Sequence, residues 1–473
     1  MELSGTLVVP EGAEAQAAAL LATKTARAAS NFTLMATATA TCPSVPISYQ
    51  PIANATISFL DDNDDPLGVT LTTDPCGDFS GSVPGAVAYV KTMAAGYRDI
   101  TVPVAAFVQG DDEDDEDNVL SVLPDVAGAG YRIASLQWSG ETLYFTVTDT
   151  LTGKAVLGIP ETAVSYAIAG GDSSAFASLS YAASQGGQGA ASVALALDGS
   201  GSMYSGVYDP VTGQPVTDAD GRTLTMLRMS ALAAHTFLDG KRAQDEVGFV
   251  SFDHKVDWMD KAFFDAKRFT SGGGAYTVAY PASGFSADVA PLRLTVDYYN
   301  NASQIWGDGN PDPVHAPQPA DLRAYPYPWG GNTAAYDAAE EALMRLEPRP
   351  NARKIGVLLS DGYDNSSRIN ATQLAAAYQA ESIPLWTVSF GSSADKTVLQ
   401  QLADDTGGNF IDSTDTSKLA ADFAAIQTGI VFQYIGDLGL PDFDAVRGQD
   451  LTLTLDYGGL SATRASRIPA KTP

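Results

Sequence analysis

The stretch "ALALDGSGSMYSG", Ala194 to Gly206, decides how this chain is read. An apolar run stops abruptly at Asp198, and Ser200 and Ser202 then alternate with glycines. A carboxylate and two hydroxyls, all small and all hard oxygen donors, therefore stand at the end of a strand. Taken alone, the two serines would read as helix caps, because a serine oxygen accepts from the orphan amides of a first turn.

Working outward, residues 190–430 alternate apolar strands with helical stretches. After "ASVALALD" come "LTMLRMSALAAHTFLDG", "EVGFVSF", "TAAYDAAEEALMRL", "KIGVLLSDG", "ATQLAAAYQAE", "IPLWTVSFG" and "DKTVLQQLADDTGG". Near-continuous apolar strands between helices predict a doubly wound, mostly parallel sheet covered on both faces. In such sheets ligands bind beyond the carboxyl ends of the strands, which is where Asp198 falls. A second strand, in "KIGVLLSDGYDN", ends at Asp361, and "WGGNTAAYDAA" places Thr333 at a helix start after two glycines.

This combination resembles the von Willebrand factor A family, the fold of integrin I domains. That family's metal-ion-dependent adhesion site is D-x-S-x-S, then a threonine, then an aspartate in "[ST]-D-G". Asp198, Ser200 and Ser202, Thr333, and Asp361 within "SDG" match in order and context, and the resemblance spans residues 188–430. It implies a Rossmann-like α/β domain holding Mg²⁺, or Mn²⁺ or Ca²⁺. Mg²⁺ takes six oxygens at roughly 2.0–2.1 Å and keeps some water. Three hydroxyls supply neutral donors and two carboxylates offset the charge, so the ion stays electrophilic. A carboxylate from a partner completes the shell, which is how the family binds ligands. The integrin β-subunit pattern adds two aspartates soon after the serines; this chain has "MYSGVYDP" instead, so no adjacent second metal site is expected. "DTSKLAADFAAIQTGI" matches the last helix that family members move, and switching here is left open.

Two insertions depart from the family. One is "YDPVTGQPVTDADGRT"; the other runs from about Lys261 to Trp329. Loops this long are functional or disordered. The second carries Tyr298, Tyr299, Trp306, Tyr325, Tyr327 and Trp329, which predicts a folded insert, and it ends close to Thr333, which puts it by the metal rim. Its aromatic residues either pack the insert on itself or grip a ligand, with Trp306, Tyr325, Tyr327 and Trp329 the candidate contacts. "DGNPDP", with Asp308, Asn310 and Asp312, reads as turn chemistry or as a second cation site for Ca²⁺.

The 473 residues suggest about three domains. Basic residues number 27 against 56 acidic, a net charge of -29, which argues against nucleic acid or an anionic membrane as partner. Residues 1–30 read as a tether. Residues 31–107 read as short strands and resemble the carboxypeptidase regulatory-like family, a transthyretin-like β-sandwich, through Thr73, Gly77 and Phe79 and through Ala94, Ala95, Gly96 and Tyr97. That module is usually a spacer or stabiliser. Cys42 and Cys76 lie in this segment and are read as one local disulfide or as two buried thiols, depending on the compartment. Residues 108–130, with the acidic run Asp111 to Asp117, read as a solvated linker, EF-hand spacing being absent. Residues 131–187 and 431–470 return to a β pattern and are expected to pair as one β-domain interrupted by the α/β domain.

No apolar run is long enough for a transmembrane helix. The N-terminus has no export signal, so the protein is either cytosolic or has had its signal removed; the opening "SGTLVVPEGA" resembles a mature bacterial surface lipoprotein start. P-loop and G-x-S-x-G patterns are absent, and His235, His254 and His315 are too dispersed for a zinc site. His235 reads as structural. The resulting expectation is a non-enzymatic, extracellular or bacterial-surface adhesion protein that binds an acidic group of a protein or glycan through a cation. The alternatives are an intracellular scaffold of a multiprotein complex and a metal-dependent hydrolase, for which no general base can be named.

Overall fold

The computed structural model describes residues 2–10, 13, 42, 45, 49–104, 119–181, 189–209, 212–217, 221, 223–266, 281–307, 332–413 and 418–470. The chain divides into two compact units. One is discontinuous, Met1–Ser184 with Thr428–Pro473, and the other is Gln185–Gln427.

The discontinuous unit is built of β-sheets. Thr56–Leu60 is central to an antiparallel sheet with Pro66–Thr72 on one side and Tyr89–Met93, then Ile100–Pro103, on the other. Two further four-stranded sheets combine strands from both ends of the chain. In one, Thr142–Asp149 lies between Tyr131–Ser139 and Tyr434–Asp437; in the other, Val164–Ile168 pairs with Asp450–Tyr457. The alternation in "DLTLTLDY" buries Leu451, Leu453 and Leu455 and turns the threonines outward, as a half-buried strand requires. A single apolar cluster joins Ile57 and Phe59 to Leu143, Phe145 and Leu453, so the residues read as two β modules share one core. Cys42 and Cys76 are joined by a disulfide.

Two boundaries differ from the sequence reading. Glu2–Pro10 is a strand at the centre of its sheet, paired with Tyr49–Pro51, Asp78–Ser82 and, in parallel, Val119–Ser121. Leu7, Val8 and Val9 are all fully buried, so this segment is core rather than tether. Val119–Ser121 lies inside the span read as linker and is likewise buried. The acidic run Asp111–Asp117 lies outside the described residues.

The second unit is the α/β layer structure. Its elements are β1 (Ala191–Asp198), α1 (Met226–Asp239), β2 (Glu246–Phe252), β3 (Val256–Trp258), α2 (Lys261–Ala266), α3 (Val289–Gly307), α4 (Ala335–Leu346), β4 (Arg353–Ser360), α5 (Ala371–Ala380), β5 (Leu385–Phe390), α6 (Lys396–Thr406), β6 (Phe410–Ser413) and α7 (Leu419–Val431). The sheet order is β3-β2-β1-β4-β5-β6, parallel except for β3. Every residue of β1 is buried, because helices cover both faces. Ala194 and Ala196 pack with α4, α5 and α6, while Val193, Leu195 and Leu197 alternate to the opposite face. Small alanines on α4, namely Ala335, Ala338, Ala339 and Ala342, let that helix approach the sheet closely. Among the described residues no helix is long and apolar enough to cross a membrane.

The long insertion read over residues 261–329 is largely part of the fold itself where it is described. Phe285 is buried against Trp258, Ser286 exchanges backbone hydrogen bonds with Val247, and α3 packs on α1. Its apolar residues Leu292, Val296 and Tyr299 are buried because α3 is a covering helix, not an added lobe.

Candidate metal centre

Strand β1 delivers Asp198 to the rim of the sheet with its carboxylate fully buried. Oδ1 accepts from the Ser200 amide at 2.8 Å, which turns the chain sharply and aims the next side chains back at the strand end. Oδ2 accepts from the Ser360 hydroxyl at 2.8 Å. The neighbouring strand β4 therefore grips the carboxylate with its last residue and sets Asp361 beside it.

The serines bridge the two strand ends. Ser200 Oγ and Ser202 Oγ are 3.1 Å apart, and Ser202 Oγ donates to Asp361 Oδ1 at 2.8 Å. Thr333 precedes α4 and is almost wholly buried. A Cβ built on Gly362 would lie 3.8 Å from Thr333 Oγ1 and 4.0 Å from Ser202 Oγ. The Thr333 and Ser202 hydroxyls, from two separate loops, thus both face the Gly362 backbone.

Electrostatics sharpen this picture. Burial raises the Asp198 carboxyl above its usual range, opposed by hydrogen bonds from Ser200 and Ser360. Burial, and then the charge of Asp198, push Asp361 up to about 7. Among the described residues no lysine, arginine or histidine forms an ion pair with either carboxylate. Two buried carboxylates facing each other without a countercharge, ringed by three hydroxyls, form a donor set that fits a small hard divalent cation. Among the described residues there is no free thiol, and the imidazoles of His235 and His254 lie against Asp297 and Asp253 rather than this pair, so the set lacks the ligands a softer metal prefers.

The sequence reading assigns several supporting residues no role in the site. Tyr299 on α3 is buried, and its hydroxyl donates to the backbone carbonyl of Asp198 and lies 3.4 Å from Ser230 Oγ. Burial raises its phenol well above the ordinary range, so it stays a donor. Ser360 sits in the quoted "SDG" and was legible there as a hydroxyl at a strand end. Asn365 accepts from the Thr333 amide at 2.8 Å, a contact no local pattern announces. Asp253, after β2, is buried, and its backbone carbonyl accepts from Ala334 at 2.7 Å.

Other candidates fall elsewhere. Tyr298 and Trp306 lie on α3 at positions where only the backbone is described. Tyr325, Tyr327, Trp329, Asp308, Asn310, Asp312 and His315 lie outside the described residues. His235 on α1 is 2.9 Å from Asp297 on α3 and ties the two helices together. In the β unit, Asp74, Cys76 and Asp78 bring ligand-type atoms within 4.8 Å of one another. Cys76, however, is disulfide-bonded, and Asp74 Oδ1 already accepts from the Cys76 and Asp78 amides.

The family model of the von Willebrand factor type A domain matches residues 322–425. No curated protein matches the chain. Similar solved structures include an aerotolerance-related membrane protein from Bacteroides fragilis, 15% identical, covering 51% of this chain and 98% of that one, with a TM-score of 0.32. A von Willebrand factor type A protein from Catenulispora acidiphila is 13% identical, covering 73% and 74%, with a TM-score of 0.33. Proximal thread matrix protein 1 from the mussel byssus is 13% identical, covering 55% and 50%, with a TM-score of 0.33.

Proposed function

We propose that this chain, which carries a von Willebrand factor type A domain, is a metal-dependent adhesion or ligand-binding protein of the cell surface. Domains of this family are linked to metal-assisted adhesion and are characteristically non-catalytic. Asp198, Ser200, Ser202, Thr333 and Asp361 would hold one divalent cation, Mg²⁺ or alternatively Mn²⁺ or Ca²⁺. The observation that carries this reading is the pair of buried, unneutralised carboxylates tied together by Ser202 and Ser360. When bound, the ion supplies a positive charge and an open position for an acidic group of a protein or glycan. The protein's own part is to hold the donors in place before binding. Asp198 is fixed by the Ser200 amide and Ser360, and Asp361 by Ser202, so little ordering is left to do.

The Cys42–Cys76 disulfide supports an oxidising, extracellular setting. The resemblance of residues 31–107 to carboxypeptidase regulatory-like modules supports a spacer role that presents the α/β unit away from a lipid-anchored surface.

The test is calorimetric titration of Mg²⁺, Mn²⁺ and Ca²⁺ into wild type and Asp198→Ala. One bound ion in the wild type, lost in the variant, is the expected result. Equal binding by both would overturn the assignment.

A further inference from the structure

Thr333 is the donor that arrives at the rim from neither of the two strands, so something must hold it there. Helix α4 begins at Ala335, and its N-cap residue, Ala334, has no side-chain acceptor to offer. The first amides of the helix are satisfied instead by the loop after β4, about thirty residues on in sequence. The Tyr336 amide donates to Asp364 Oδ2 at 3.1 Å, and the Asp337 amide donates to Ser367 Oγ at 3.0 Å. Ser367 in turn fixes Asp364, its amide donating to Oδ1 at 3.2 Å and its hydroxyl to Oδ2 at 2.5 Å. The lock is reciprocal: the Asp337 carboxylate accepts from the Arg368 amide at 2.9 Å, from Arg368 Nε at 2.9 Å and from the Ile369 amide at 3.3 Å.

Asn365 sits inside this lock but does a different job. Its Oδ1 accepts from the Thr333 amide at 2.8 Å, while the Asn365 and Ser366 amides donate to the Thr333 carbonyl at 3.0 and 3.2 Å. Both backbone polar groups of Thr333 are thus held by residues 365–366. The same short loop starts at Asp361, itself a donor. Thr333 is therefore registered directly against the other half of the donor set, not through the helix.

We propose that Asn365 is a positioning residue of the metal centre, whose side chain holds Thr333 so that its hydroxyl meets Ser202 and Asp361 at the rim. This rests on the reading that those residues hold a cation. The helix caps are supplied by Asp364 and Ser367, so removing the Asn365 side chain leaves α4 capped. Losing an outer partner of a metal ligand costs roughly 10–100-fold in affinity. Aspartate at the position keeps an acceptor for the Thr333 amide.

The experiment compares wild type, Asn365→Ala, Asn365→Asp and Asp198→Ala. Mn²⁺ affinity is measured by calorimetry, and amide hydrogen exchange is followed in chelator. Asn365→Ala should bind Mn²⁺ roughly tenfold or more weakly, with faster exchange at Thr333 and unchanged protection over Ala338–Leu346. Asn365→Asp should restore affinity to within a few-fold of wild type. Wild-type affinity in Asn365→Ala, with Asp198→Ala inactive, overturns the positioning role alone. Loss of protection along all of α4 overturns it too, because the residue would then be supporting the helix. No Mn²⁺ binding by the wild type overturns the metal reading beneath it.

Discussion

Replacing Asp361 by Asn separates what the buried carboxylate pair costs the protein from what it is for. In the metal-free protein Asp361 is pushed up to about 7 by burial and by Asp198, against an ordinary value of 3.8. A carboxyl raised in the folded state binds more protons there than in the unfolded chain, so folding stability falls as pH rises across that interval. From pH 5 to pH 7 this amounts to about 3 kcal/mol at most for the group, with the loss complete above pH 7. Asn does not titrate, and its Oδ1 still accepts from Ser202. In chelator, Asp361→Asn should therefore outlast the wild type at pH 8, and the gap should shrink toward pH 5. A unit of this size shifts by roughly 2–4 °C per kcal/mol, so the gap should widen by roughly 5–10 °C between pH 5 and pH 8. Divalent cation at a hundred times its dissociation constant should return about 2.7 kcal/mol to the wild type and nothing to the variant. Thermal unfolding followed by tryptophan emission suits the test, since Trp258 and Trp386 are both buried in this unit. If Asp361→Asn is less stable than wild type at pH 8 in chelator, or the two share one pH profile, the carboxylate pair is not strained and the reasoning fails.

Tyr299→Phe removes one buried hydrogen bond to the Asp198 carbonyl and should cost about 1 kcal/mol of stability, with weaker cation binding, both read by denaturant unfolding and calorimetry. Gly408→Ala would place a Cβ 1.9 Å from the Leu385 carbonyl oxygen, a backbone atom that cannot step aside, so a loss of about 3 kcal/mol or more is expected in urea unfolding of the α/β unit. Cys76→Ser opens a disulfide that links positions separated by 34 residues. It should lower the stability of the β unit by about 2–4 kcal/mol while leaving Mn²⁺ affinity unchanged.

Much of the α/β unit was legible because its signals are local. "ASVALALD" and "KIGVLLSD" are apolar without alternation, which only a strand covered on both faces tolerates, and the structure buries both in adjacent parallel strands. Elsewhere the deciding signals are not local. "ELSGTLVVP" is short, weakly patterned and followed by Ala- and Thr-rich sequence, and what makes it a buried strand is distant in sequence: it pairs with Tyr49–Pro51, Asp78–Ser82 and Val119–Ser121, and Val8 packs with Ala155 and Leu157. Helix α3 falls inside the span from about Lys261 to Trp329 that the sequence presents as an insertion. Its register on α1, fixed by His235 with Asp297 and by Tyr299 with Ser230, depends on contacts across more than sixty residues.

By itself, the sequence determined the donor types and where on each element they stand. A strand's last residue, a serine two positions on and a hydroxyl at a helix start are all matters of local spacing, and local spacing is what a linear pattern records. Only the tertiary structure decided that these donors converge and what keeps them converged. Ser360 on Asp198, Asn365 on Thr333 and Tyr299 on the Asp198 carbonyl are pairings of single polar atoms between distant segments. Each forms because a buried polar group left without a partner is costly, and which partner it finds depends on how the helices and strands pack, not on their order along the chain.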